Sequence, residues 1–178
     1  MPELPEVETV IRGISFSILG QTIDKCVLSL KKLRYPITRN FKKNILSSKV
    51  VSISRRAKYI LINLSNNKTI IIHLGMSGRI ILASNNENSK FKHTHMTLYF
   101  KNNLIAKFID PRRFGSILLF DTIAISKNRL FSHLGLEPLS KQFNPDYLEK
   151  SCQNKKASIK SVIMNQSIVV GVGNIYAS

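Results

Sequence analysis

The sequence predicts an α+β protein: an amphipathic N-terminal helix leading into an antiparallel β-sandwich or barrel, followed by a short helical segment. Three observations predict it. Apolar residues recur at helical spacing ahead of Gly20, eight short β-branched runs fill residues 22–120, and beyond Asp121 helix caps and turn residues replace the strand pattern.

Val7, Val10, Ile11, Ile14 and Ile18 share one face of the first helix, and Gly20 can end it. The strand runs lie near 23–30, 50–53, 59–64, 69–74, 80–82, 96–100, 104–109 and 116–120. Asn66-Asn67 and Asn102-Asn103 separate neighbouring runs and tolerate positive φ, so antiparallel hairpins are expected there. That many short strands fit a sandwich or a barrel. A helix is expected over 126–134, closed by Gly135, and a second one with Asn144 as cap and Pro145 at its first position. A domain boundary falls near residues 136–140, dividing the chain into 1–136 and 137–178. A third helix is expected over 154–166, with Ile159, Val162 and Ile163 on one face, before a glycine turn at Gly171 and Gly173 opens another.

With 178 residues, 43% of them hydrophobic, the chain can bury a core, which excludes disorder along its whole length. Its 27 Lys and Arg against 10 Asp and Glu leave a formal charge of +17. A surplus of that size calls for an anionic partner, nucleic acid first, although a Lys- and Asn-rich composition, with pairs such as Asn85-Asn86, also fits a genome-wide bias. Cys26 and Cys152 stand far apart, so neither a disulfide framework nor a four-cysteine zinc site can be written. The N-terminus has acids and prolines where a signal peptide has a basic and then an apolar stretch, and no apolar run approaches a membrane span. These features predict a cytoplasmic protein with no membrane partner.

Several residue groups bear on chemistry. Once Met1 is removed, Pro2 carries a secondary amine; an α-amino group titrates near ~8, so an appreciable share is nucleophilic at neutral pH. Attack of that nitrogen on a sugar C1′ yields an iminium, and Glu3 next to it offers a proton. Proline and glutamate at a helix start equally fit an ordinary N-terminus. Arg55-Arg56-Ala57-Lys58-Tyr59 precedes an apolar strand, and alternation would send Arg56 and Lys58 to one face, to grip phosphate or guard an edge. His73 to Gly78 and Asp110 to Gly115 are glycine-flanked loops presenting Met76, Arg112 and Phe114, which suit either insertion into a base stack or ordinary core packing. His93 and His95 have same-face strand spacing but lack a third zinc-like ligand, so contact with phosphate or sugar is expected rather than metal. Gly171 to Asn174 can aim backbone N–H groups at a phosphate.

In one order the chain carries PELPEVET, RRAKY, HLGMSG, DPRRFG, LGLEPL and VVGVGNIYAS. It resembles the bacterial formamidopyrimidine-DNA glycosylases over its whole length, and PELPEV rather than PEGPE is similar to their oxidised-purine branch rather than to endonuclease VIII. The resemblance implies a helix and two-sheet antiparallel sandwich followed by a helix–two-turn–helix domain. It also implies removal of 8-oxoguanine and formamidopyrimidines from double-stranded DNA by a monomer, then cleavage of the abasic strand. Under it, Pro2 is the Schiff-base nucleophile, Glu3 the general acid and Lys58 the proton donor in β-elimination. Met76, Arg112 and Phe114 fill the void left by the flipped nucleotide; His93, Arg112, Lys155, Lys160 and Asn174 contact DNA; and Glu6 borders the lesion pocket. The family's C-terminal zinc ribbon has no counterpart here, so the chain resembles a shortened form with an incomplete helix–two-turn–helix domain, no metal site and no cofactor of its own. Zinc is expected only in a full-length form. Ile163, Val169, Val170 and Ile175 are expected to be left exposed. The other reading of such a form is a non-catalytic DNA-binding remnant.

Overall fold

The computed structural model describes residues 1–84 and 91–178; the Asn85-Asn86 pair lies outside the described residues. Helix α1 (Leu4–Ile18) is followed by β1 (Ile23–Leu28), a short α2 (Phe41–Ile45), and then β2 (Val50–Arg56), β3 (Tyr59–Leu64), β4 (Lys68–His73) and β5 (Arg79–Ser84). Strands β6 (Thr94–Phe100), β7 (Leu104–Ile109) and β8 (Ser116–Asp121) complete two antiparallel four-stranded sheets, ordered β1-β6-β7-β5 and β2-β3-β4-β8. The chain ends in α3 (Pro145–Cys152), α4 (Ile159–Ile163) and α5 (Asn174–Ala177). The fold is therefore the α+β sandwich the sequence predicts.

Val7, Ile11, Ile14 and Ile18 of α1 bury their common face in the main core, against Ile60, Ile62, Ile70 and Ile72 of one sheet and Met96, Leu98, Ala106 and Phe108 of the other. Gly20 follows in a left-handed conformation, which stops the helix. At the hairpin turns Asn67 and Asn103 take positive φ, as their side chains allow. Leu61, Ile71 and Leu118 point to the other face of the second sheet, where Phe131 covers them. Strands β3 and β4 are thus buried on both faces, which explains why they read as unbroken apolar runs.

Three expectations are corrected. Residues 126–134 form successive turns instead of a helix, with Asn128 C=O accepting from both Phe131 and Ser132, because the segment is shaped by docking Phe131 on the sheet. The helix expected over 154–166 is confined to α4: Ser158 caps it by accepting from the Ser161 N–H, and the left-handed Asn154 lies ahead. Val169 and Val170 are buried rather than exposed, since this stretch bridges Leu136 in parallel; Ile163 is half-buried and only Ile175 is exposed. No helix among the described residues is long and apolar enough to cross a membrane.

Candidate active site

Strand register brings the chemistry-bearing segments to one end of the second sheet. Tyr59 pairs with His73 and His73 with Ser116, so the β2–β3 turn, the loop after β4 and the loop before β8 leave the same end.

The β2–β3 turn holds Lys58. Ala57 adopts φ 51°, a left-handed conformation costing about 1 kcal/mol for a residue with a Cβ. A clasp on Glu137 offsets this: its carboxylate accepts from the Ala57 N–H at 2.8 Å, from Arg55 at 2.5 Å and from Arg56 at 2.9 Å. Arg56 also donates to the carbonyls of Leu134 and Gly135, and Arg55 to Glu8. Burial pushes the Glu137 carboxyl up, but the Ala57 amide and the two guanidiniums outweigh it and hold the group below its ordinary pKa. Strand alternation therefore fails at Arg56: it turns to Glu137, while Lys58, in the turn, goes elsewhere.

Lys58 is 8% exposed and Glu3 only 1%. Glu3 accepts from the Gly173 N–H at 2.5 Å and from the Ile175 N–H at 2.8 Å. Lys58 Nζ donates to the Val172 carbonyl at 3.1 Å. Gly173 is required by packing: a Cβ there would lie 2.5 Å from the Glu3 carboxyl carbon and 2.7 Å from Lys58 Nζ. Burial drives the Lys58 pKa down, and the charges of Glu3 and Glu6 restore only part of the loss. Glu6 receives the Tyr176 hydroxyl at 2.7 Å and the Glu3 N–H at 2.8 Å, which together lower its pKa. Pro2, between Met1 and the buried Glu3, is half-buried. Met1, Arg34, Lys58, Tyr59 and His73 line an open cavity of about 400 Å³.

The two glycine-flanked loops form a single rigid body. Asp110, wholly buried, accepts from the Ser77 hydroxyl at 2.6 Å and from the Gly115 N–H at 2.7 Å, and Ser77 Oγ accepts from the Arg112 N–H. Gly75 has φ +63°, and a Cβ on it would fall 2.4 Å from the Gly115 nitrogen, so the loop backbones abut. On this base Met76 and Phe114 stand 42% and 48% exposed, beside an exposed Arg112 whose guanidinium lies 5.1 Å from the Phe114 ring centre. Neither apolar side chain is in the core.

The description "Formamidopyrimidine-DNA glycosylase N-terminal domain" fits residues 1–117, and "Formamidopyrimidine-DNA glycosylase H2TH domain" fits residues 134–178. The chain belongs to the formamidopyrimidine-DNA glycosylase family. The Rickettsia bellii formamidopyrimidine-DNA glycosylase is 44% identical over 178 residues, all of this chain and 64% of that protein. The Proteus mirabilis one is 44% identical over the same length, 63% of its own. The chain thus spans less than two thirds of these relatives. The Lactococcus lactis Fpg in complex with abasic-site DNA is similar in structure at TM-score 0.88 and 30% identity, covering 98% of this chain and 64% of that one. A mutant of the same protein in complex with Fapy-dG containing DNA gives TM-score 0.89 at 30% identity, covering 99% and 64%.

In this glycosylase-family chain, Lys155, Asn174 and His93 are exposed, and Lys160 is half-buried, donating to the Ser178 hydroxyl. His93 has φ 62° and precedes β6, whereas His95 is buried within it, bonded to the Asp110 carbonyl; the two do not share a strand face. Among the described residues no three His, Cys, Asp or Glu side chains converge. The sequence reading missed His73, Glu137, Asp110 and Gln166. Asp110 and His73 lie inside recognised motifs and Glu137 inside LGLEPL, but the contacts of Asp110 with Ser77, of His73 with Tyr59 and of Glu137 with Arg55 and Arg56 join positions that no single motif contains.

Proposed function

We propose that this chain carries the catalytic groups of a DNA glycosylase and abasic-site lyase of base-excision repair, acting on double-stranded DNA that contains oxidised purines, 8-oxoguanine and formamidopyrimidines. The observation that carries this reading is the buried Glu3 carboxylate, held by the Gly173 and Ile175 amides beside Lys58 Nζ, one residue from Pro2. The similar Lactococcus lactis complexes, with abasic-site and with Fapy-dG containing DNA, support the substrate class.

After Met1 is removed, the Pro2 nitrogen bonds to C1′ of the flipped nucleotide as the bond to the damaged base breaks. Glu3 accepts the proton that the amine sheds and passes it to the deoxyribose ring oxygen, opening the sugar to an iminium. The iminium draws electrons from C2′ as water takes a C2′ proton, a C2′–C3′ double bond forms, and the C3′–O bond breaks to release the 3′ phosphate. Lys58, whose burial makes it a readier proton donor than an exposed lysine, serves the elimination. Met76, Arg112 and Phe114 occupy the vacated stack, His93, Lys155, Lys160 and Asn174 bind the strand, and Glu6 borders the lesion. The unit at 1–136 supplies the nucleophile, the proton donors, the wedge and the His93 contact, and that at 137–178 supplies the remaining strand contacts.

Borohydride reduction tests the reading: the chain starting at Pro2 is expected to become covalently joined to a duplex containing 8-oxoguanine, and the same chain retaining Met1 is not. Salt-dependent binding with neither lesion preference nor adduct would leave a non-catalytic DNA-binding protein in its place.

A further inference from the structure

Gln166 lies between α4 and the buried stretch at 168–171, outside every motif that bears on the chemistry, yet its amide is fully engaged. Its Oε1 accepts from the Gly171 N–H at 3.1 Å; its Nε2 donates to the Val172 carbonyl at 2.9 Å and to the Met164 carbonyl at 3.3 Å. The Val172 carbonyl is the oxygen that also takes Lys58 Nζ, at 3.1 Å. On either side of it, the Gly171 carbonyl accepts from the Leu4 N–H at 3.1 Å and the Gly173 N–H donates to Glu3. One side chain therefore grips both ends of the Gly171–Val172 segment, whose carbonyl anchors Lys58 and whose next amide holds Glu3, and with Lys58 it lines the open cavity.

We propose that Gln166 is a positioning residue of the reaction, fixing the Gly171–Val172 backbone so that Lys58 and Glu3 are held at one point beside Pro2. The inference rests on the glycosylase and lyase reading above. The bond to Val172 O has a geometric consequence: Gln166 and Lys58 occupy both lone-pair directions of one carbonyl, so Lys58 is confined to the remaining one. A glutamate at 166 would keep an acceptor for the Gly171 N–H. It would lose the donor to Val172 and add a negative charge close to the ammonium. A methionine would keep length and lose all three bonds.

The test compares the chain starting at Pro2 with its Gln166→Met and Gln166→Glu variants on duplexes carrying 8-oxoguanine or a preformed abasic site. Elimination on the abasic duplex is expected to slow about tenfold in Gln166→Met, the equivalent of one lost hydrogen bond to a positioned group. DNA affinity should stay near that of the parent, and the thermal midpoint should fall only by the few degrees that a stranded Gly171 N–H costs. In Gln166→Glu, the pH at which elimination fails should rise, and so should the Lys58 titration followed by NMR of its ¹³C-labelled ε-carbon in the free protein. A role confined to folding would move the thermal midpoint and leave both pH readouts in place; that result, or variants indistinguishable from the parent, overturns the proposal. If the parent forms no borohydride adduct, the proposed function falls, and the Lys58 titration still decides whether Gln166 governs the position of that ammonium.

Discussion

His73 couples the Lys58 end of the second sheet to pH. Its Nδ1 accepts from the Gly75 N–H at 3.0 Å and its ring packs 4.9 Å from that of Tyr59, so the folded state holds it neutral with the proton on Nε2. Burial, then the positive charges of Arg34 and Lys58, take its pKa from 6.5 to about 4. The unfolded chain binds this proton below 6.5 and the folded chain does not, so the stability His73 contributes is present above 6.5 and is lost as pH falls toward 4. At 1.36 kcal/mol per pH unit the loss approaches about 3 kcal/mol, with about 2 kcal/mol gone between pH 7 and pH 5. Glu6 and Glu137, both held below their ordinary pKa, also lose stability in acid, but they do so in any variant that keeps them. The informative comparison is therefore with His73→Asn, which keeps an acceptor near the Nδ1 position and cannot titrate. Urea unfolding at pH 7, 5 and 4 should give stability curves that converge in acid, the parent falling about 2 kcal/mol further than the variant by pH 5. Parallel curves within about 0.5 kcal/mol would refute the claim that the folded state holds His73 neutral.

Two substitutions separate the catalytic groups from the wedge. Gly173→Ala places a methyl group against Glu3 and Lys58, and a displacement of that order should cut borohydride trapping about 100-fold while leaving the thermal midpoint of the sandwich within a few degrees. Asp110→Asn removes one acceptor from a fully buried site that serves Ser77 and Gly115, so it should cost about 1–3 kcal/mol in urea unfolding and slow removal of 8-oxoguanine more than elimination at a preformed abasic site.

Much of the sandwich was legible in the sequence because its strands alternate around Asn-Asn turns, and α1 because Val7, Ile11, Ile14 and Ile18 mark one face. Helix α2 escaped notice: only Phe41 and Ile45 are buried in five residues, too few to show a period. The helix expected over 126–134 did not form because the position of Phe131 is set by Leu61, Ile71 and Leu118, remote positions that no local window contains. The same limit applies at the site. Pro2, Glu3 and Lys58 could be named from motifs, but in the sequence Arg56 pairs with Lys58 as a phosphate grip because its partner Glu137 lies 81 positions away. A motif identifies the groups, whereas long-range hydrogen bonds decide which of them are spent on structure.

Those long-range bonds fall into two sets that bear on how the site works. Asp110 ties the wedge loops to each other, and Arg34 N–H to Gly115 C=O ties them to the preceding loop, all within residues 1–117. The catalytic groups are tied differently. Glu3 to Gly173 and Ile175, Leu4 to Gly171, Glu6 to Tyr176 and Lys58 to Val172 each join the first 58 residues to the last eight, while Glu137 clasps the turn that carries Lys58. The Asp110 loops are therefore held without residues 171–178, whereas the surroundings of Glu3 and Lys58 are not. Undocking would return Glu3 and Lys58 to water, where the carboxylate loses its two amide donors and the lysine regains an ordinary affinity for its proton. Under the proposed function, the chemistry depends on residues 171–176 docking against the first 58, and Gln166 braces that segment.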